Sequence, residues 1–204
     1  MNTKQAVNEV PLYGREEATR DLRKAFQDSR AQQQESHQVV WVRGQCGCGK
    51  TALVQKSLED VVKQEKGYFV RGRYDEMPSA QPFSGLVDAL TDLCDYLLED
   101  EQIGVFRVQL SDALGSDAPI LAAVLPRLST LLGEFAPSAA IHCKPEWTFE
   151  RLKVAMRAFI QTICGRSIPV VLFLDDLHFG DEESLELLKY VALGPSIKYF
   201  LFVG

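Results

Sequence analysis

The chain has 204 residues, 46% of them hydrophobic and 25% charged, an ordinary globular composition at a length that suits one large domain or a domain with part of another. Acidic residues number 28 against 22 Lys and Arg, and the formal charge of −6 excludes a general attraction for a nucleic-acid backbone, leaving room only for a local basic patch. No N-terminal apolar core suggests a signal peptide, and no window reaches the roughly 18 apolar residues of a membrane span.

Residues 1–11 are polar, end in Pro11 and read as a disordered lead-in. From Arg15 to about Gln34, Ala18, Leu22, Ala25 and Phe26 recur at helical steps between charges. A polar connector, QQQESHQ, leads to the short apolar run VVWV at 39–42, whose β-branched and aromatic residues predict a buried strand. A helix is expected from near Gly49 to about Gln64, and YFVRG at 68–72 predicts a second strand. Residues 73–83, with Pro78 and Pro82, read as loop.

Strand character then disappears, and a helical insertion is expected over about 84–145. Leu86, Leu90, Leu93 and Leu97 form one stripe; GVFRVQLSDAL and APILAAVLPRLSTLLGE are also helical, the second kinked or broken at Pro126. SAAIHCKPEW reads as a linker. In the helix that follows, Leu152, Ala155, Met156, Phe159, Ile160 and Ile163 mark the apolar face, and Arg151, Lys153, Arg157 and Gln161 the polar one. PVVLFLD at 169–175 predicts a fully buried strand ending in acid. Asp181 is placed to cap a helix over 182–193, with Glu182 and Glu183 at its positive end, and KYFLFV at 198–203 predicts a last strand. Apolar strands alternating with helices describe a parallel sheet covered on both faces.

Between the first strand and its helix, Gly44-Gln45-Cys46-Gly47-Cys48-Gly49-Lys50-Thr51 fits G-x-x-x-x-G-K-S/T at every fixed position. The chemistry requires these residue types. Glycines let the backbone turn so that its N–H groups converge on phosphate oxygens, and the helix start adds the partial positive charge of its aligned peptides. Lys50 can reach the β- and γ-phosphates, and Thr51 can offer its hydroxyl to Mg²⁺. Cys46 and Cys48 fill two variable positions. Zinc wants four ligands, commonly from paired C-x-x-C motifs; here the spacing is C-x-C without a second pair. The two cysteines are therefore either small side chains tolerated in a tight loop or thiols made oxidisable by Lys50 and the helix start. The odd total of five, at irregular spacings, describes reduced thiols of an intracellular protein, cytoplasmic or nuclear.

Ligands of such sheets gather at the carboxyl ends of strands, where Asp175 and Asp176 fall. Asp175 is placed to hold Mg²⁺ through water, and Asp176 to orient or deprotonate the water that attacks the γ-phosphate. The plain alternative is a pair of turn aspartates after a core strand. His178 fits a place near the phosphate or an ordinary surface position.

Three stretches, LYGREEATRDL, GQCGCGKT and VVLFLDDLHFGDEESLELL, together resemble the AAA-type ATPase module of origin-recognition-complex ATPases and the related signal-transducing STAND ATPases. The likeness runs over about residues 12–204, strong at the motifs and vague over 85–145. It implies an α/β, three-layer P-loop NTPase fold, with Leu12-Tyr13-Gly14-Arg15-Glu16 lining the adenine pocket, so that Gly14 and Arg15 join the nucleotide-binding residues. The family's D-D-L-H-W-A-D segment appears as Asp175-Asp176-Leu177-His178-Phe179-Gly180-Asp181, with Phe for Trp and Gly for Ala. Many AAA ATPases carry Glu where this chain has Asp176, one methylene shorter; the branch it resembles commonly uses Asp, so the resemblance is compatible with turnover, slow turnover included. The family's polar sensor, fifth strand, arginine finger and helical lid would follow Gly204, so the resemblance implies a C-terminally incomplete module. ATP or ADP and Mg²⁺ are the implied ligands, and other domains or further copies the implied partners, with no membrane contact. A nucleotide-controlled regulatory or signalling ATPase is the expected function. A nucleotide-binding scaffold without turnover is the alternative, as is a DNA-associated origin-recognition ATPase, which the charge disfavours.

Overall fold

Each predicted strand forms, but the run at 39–42 is not the buried strand expected: only Val39–Val40 is strand, both residues are partly covered, and Trp41 is 55% exposed, because this strand lies at the edge of the sheet. A computed structural model describes residues 13–31, 39–76, 82–133, 145–195 and 197–204, with only the backbone of 145–147. The lead-in 1–11, Leu12 and most of the linker, with Cys143, lie outside the described residues.

The strands are β1 (Val39–Val40), β2 (Tyr68–Arg73), β3 (Val170–Asp175) and β4 (Phe200–Val203), all parallel in the order β1-β4-β3-β2. Pairing of β1 extends past its formal end: Gly204 N donates to Val40 O at 2.9 Å and Val42 N to Gly204 O at 2.7 Å. All six residues of β3 and all four of β4 are buried. Alternate residues therefore feed two cores. Val171, Phe173, Leu201 and Val203 pack with Leu22 and Phe26 of α1 (Glu16–Arg30) and with Leu53, Val54, Leu58 and Val62 of α2 (Lys50–Gln64). Val170, Leu172, Leu174, Phe200 and Phe202 face the other helices. Helix, sheet, helix: the three-layer α/β architecture is present.

Between β2 and β3 lie α3 (Ser84–Glu99), α4 (Ile103–Leu114), α5 (Ala118–Val124), α6 (Arg127–Leu132) and α7 (Pro145–Cys164). The leucine stripe of α3 is buried throughout, and Pro126 separates α5 from α6 as its missing N–H requires. Helix α7 begins at Pro145, inside the expected linker, and its six predicted apolar residues are all buried.

The expected polar face of α7 needs correction. Gln161 is exposed, but Lys153 and Arg157 are only 7% and 8% exposed. The reason is α8 (Glu182–Ala192), which packs along that side. Lys153 Nζ bonds Glu186 at 2.8 Å and Glu150 at 2.6 Å. Arg157 donates to the carbonyls of Tyr190 (3.3 Å), Val191 (3.1 Å) and Pro195, satisfying the acceptors that the end of α8 leaves open. Helix α1 also ends at Arg30, short of the expected Gln34.

Candidate functional site

Strand β1 leads into the glycine-rich loop, and α2 begins at Lys50. Gly47 and Gly49 hold φ of +76° and +86°, where side-chain-bearing residues are strained. Gly44 is required for a different reason: a Cβ there would stand 2.7 Å from Cys48 Sγ. Lys50 folds its ammonium over the loop, donating to the carbonyls of Gly44 at 2.9 Å and Gln45 at 3.1 Å. The loop is closed by Cys48 N donating to Gln45 O at 3.3 Å; Cys46 is exposed and Cys48 partly covered.

Across 124 residues of sequence, Thr51 Oγ1 donates to Asp175 Oδ2 at 2.6 Å. This bond joins the loop to the acidic strand. Asp175 is 6% exposed, and its other oxygen accepts the Asp176 N–H at 3.2 Å. Asp176 has φ of +54° and leads into a short 3₁₀ turn, Leu177–Phe179. His178, on that turn, is exposed, with its ring 3.9 Å from that of Phe179.

Two further residues belong here. The register of β2 and β3 sets Arg73 opposite Asp175, and strand alternation puts Arg71 on the same face. Arg71 Nη2 stands 3.1 Å from Asp175 Oδ2, the oxygen that also takes the Thr51 hydroxyl, and lies over the Phe173 ring at 5.8 Å. Arg73 Nε pairs with Asp176 Oδ2 at 3.1 Å. Each carboxylate thus carries its own guanidinium. The expectation for YFVRG was a strand and nothing more. The available signal was two arginines at alternate positions in an otherwise apolar strand, an arrangement that calls for buried partners.

The early motif also reaches the loop: Arg15 Nη2 donates to the Cys48 carbonyl at 2.9 Å. Gly14, with φ of +66°, donates its N–H to Glu16 Oε1 at 3.2 Å, while Tyr13 is 84% exposed. Asp181 caps α8 as expected, its Oδ1 accepting the Ser184 N–H at 2.7 Å. Its Oδ2 accepts the Ser184 hydroxyl at 2.5 Å and the Phe83 N–H at 3.3 Å, tying the start of α3 to the start of α8. Burial alone would raise the Asp181 carboxyl; the hydrogen bonds from Ser184 and Phe83 outweigh it and hold the group below the ordinary 3.8.

Among the described residues no group of three or more His, Cys, Asp and Glu could hold a metal, so Cys46 and Cys48 have no zinc partners there. The oxygen-only pair of Thr51 and Asp175 suits Mg²⁺, which keeps several waters and takes its remaining ligands from phosphate. The loop suits a phosphate chain, with open space beside Gly47 and Gly49 and the start of α2 behind it. Among the described residues no helix is long and apolar enough to cross a membrane.

A parallel sheet with β4 set between the phosphate-loop strand and the acidic strand, helices on both faces and a hydroxyl-to-carboxylate bond between the two motifs define a P-loop NTPase of the AAA type. Comparison with known proteins agrees. The chain belongs to the AAA ATPase domain family, whose sequence model matches residues 11–203. It is similar to hybrid signal transduction histidine kinase G of Dictyostelium discoideum, 25% identical over 154 residues covering 74% of this chain and 4% of that protein. It is also similar to the peroxide stress-activated histidine kinase mak2 of Schizosaccharomyces pombe, 26% identical over 171 residues covering 74% of this chain and 7% of that protein. The chain therefore spans a small fraction of these relatives. No solved structure gave a significant match.

Proposed function

We propose that residues 12–204 form an ATP-binding, Mg²⁺-dependent ATPase module that works as a nucleotide-controlled switch inside a larger intracellular signalling protein, in the manner of STAND ATPases. The observation that carries this reading is the 2.6 Å bond from Thr51 to Asp175, which brings the two halves of a phosphate-and-metal site together. Backbone N–H groups of Gly44, Gln45, Cys46, Gly47, Cys48 and Gly49 would cradle the phosphates, with Lys50 neutralising the β- and γ-oxygens. Thr51 and Asp175 would hold Mg²⁺, which supplies charge neutralisation between the phosphates when bound. Gly14 and Arg15 would lie on the adenine side, since Arg15 touches the loop backbone.

Asp176 would orient or deprotonate the attacking water. In this structure its carboxylate is engaged by Arg73, so that work requires the pair to open. The same ion pair favours a second reading, a nucleotide-binding scaffold without turnover. Phosphate release by the full-length protein separates the two. The signalling context rests on the names of the relatives, both histidine kinases, and on the small share of each that the chain covers. Other domains of the same protein, or further copies, would read the nucleotide state.

Calorimetric titration of Lys50→Ala with MgATP tests the core of the reading. Removing the ammonium that crosses the loop mouth should abolish detectable binding; equal affinity in both proteins would refute the assignment.

A further inference from the structure

Although the chain is acidic, one face of α1 is not. Between α1 and α2 runs an open groove of about 760 Å³, lined by Arg15, Arg20, Arg23, Lys24 and Lys56 with Glu16 as its one carboxylate. Among the described residues, Arg15, Arg20, Arg23 and Lys24 make no salt bridge, whereas Arg30, at the far end of α1 and outside the groove, pairs with Glu65. Arg15 and Arg23 instead donate to the carbonyls of Cys48 (2.9 Å) and Ser57 (3.1 Å), which fixes their stems and leaves the guanidinium charge uncompensated. Glu16 is occupied by the Gly14 N–H. Arg20, Arg23 and Lys24 are exposed. Cations held this close repel one another, and a solvated surface gains nothing from collecting them.

We propose that this groove docks an extended acidic peptide segment. The dimensions fit. From Arg15 to Gln27 the helix rises about 18 Å at roughly 1.5 Å per residue, the length of about five or six residues of extended chain. Arg20 and Lys24 stand one turn apart, about 6 Å along the axis, and alternate side chains of an extended peptide repeat at about 6.6 Å on one side. Carboxylates at every second position would meet successive cations, with the arginines offering paired N–H donors. A nucleic-acid strand fits less well, because the −6 net charge of the chain repels a polyanion longer than the groove. The site adjoins the phosphate loop through Arg15 but extends along α1 away from it, so it is a separate site and not the nucleotide pocket.

The test uses the full chain and a fluorescein-labelled hexapeptide with glutamate at alternate positions, followed by anisotropy at low ionic strength. Binding should weaken as salt rises, and the double substitution Arg20→Glu with Lys24→Glu should weaken it at least roughly tenfold while MgATP affinity is kept. A measurement on the unaltered chain accompanies it: the peptide should slow acetylation of Lys24 but not of Lys66, which does not line the groove. Equal peptide binding by the double variant would overturn the proposal. So would displacement of the peptide by ATP, which would make the groove part of the nucleotide site, or tighter binding of a single-stranded oligonucleotide of equal charge. Absence of Lys24 protection at saturating peptide would also overturn it.

Discussion

Replacing Asp175 by Asn removes one charge and almost no volume, so it isolates the electrostatic part of the site. The carboxylate accepts three donors with two oxygens: Thr51 Oγ1 and Arg71 Nη2 on Oδ2, and the Asp176 N–H on Oδ1. Asparagine has one oxygen. If it faces Thr51 and Arg71, its NH₂ confronts the Asp176 N–H; if it faces Asp176, the NH₂ confronts the Arg71 guanidinium. Either orientation leaves a donor unpaired in a position where the side chain is 8% exposed. Hydrogen bonds to a charged group contribute about 1.5–3 kcal/mol each, and breaking a fully buried pair costs about 3–5 kcal/mol. Arg71 is 33% exposed and can regain water, which discounts the upper figure. The expected loss is about 2 kcal/mol, close to a thirtyfold change in the folding constant. Urea unfolding should show it as a lower midpoint at unchanged slope. Calorimetry with ATP in Mg²⁺ and in EDTA gives the functional half. The wild type should gain affinity from the metal and the variant should lose most of that gain. A variant with wild-type stability would show that the network is not formed, and one with the full metal-dependent gain would move the metal site elsewhere.

Three more outcomes are expected. Gly72→Ala would place a Cβ 1.6 Å from the Gly85 carbonyl oxygen, backbone against backbone, and should cost about 3 kcal/mol, lowering the melting temperature by roughly 6–12 °C; an unchanged melting curve would contradict the packing of α3 on β2. Asp181→Ala should cost about 1–2 kcal/mol at neutral pH, and because the folded carboxyl lies below its ordinary 3.8, that contribution is complete above this value and is lost as pH falls through it toward the folded one. Urea midpoints of wild type and variant should therefore converge in acid, and an equal gap at both ends of the pH range would refute the cap. MgATP should slow alkylation of Cys46 and Cys48, while Cys94, its thiol pushed up to about 12 by burial, and Cys164, pushed higher by burial, stay unreactive throughout; mass spectrometry of the modified peptides checks both, and unchanged labelling of Cys46 and Cys48 would mean the loop holds no phosphate.

How much of this was legible in the sequence depended on how far apart the interacting residues lie along the chain. The phosphate loop is eight consecutive residues whose roles follow from spacing, and the Asp181 cap is decided within one helical turn, so both were readable. The apolar runs of β3 and β4 were equally clear, because burial on both faces leaves no polar position to interrupt them. What periodicity could not supply was the identity of the covering element. On α7 it correctly separated two faces, yet Lys153 and Arg157 are buried, because α8 brings Glu186 and a set of open carbonyls to the polar one. A polar face predicts only that its groups will be satisfied, by water or by protein.

The same limit explains the arginines of β2. Arg71 and Arg73 stand 104 and 103 residues from the aspartates they bind, and nothing local in YFVRGR names those partners. Their role depends on β2 lying next to β3 with Arg73 level with Asp175, and strand order is a property of the whole sheet. Gly72 makes the dependence sharper. As a sequence feature it weakens a strand; in the fold its missing side chain lets the first turn of α3 approach the backbone, and the residues on either side of it then point to the opposite face. A one-residue slip of β2 would exchange those faces, bury both guanidiniums against the leucines of α3 and leave Asp175 and Asp176 without cations. The register is thus enforced twice, by a close contact on one face and by two ion pairs on the other, and the second constraint is the one that sets the charge of the site.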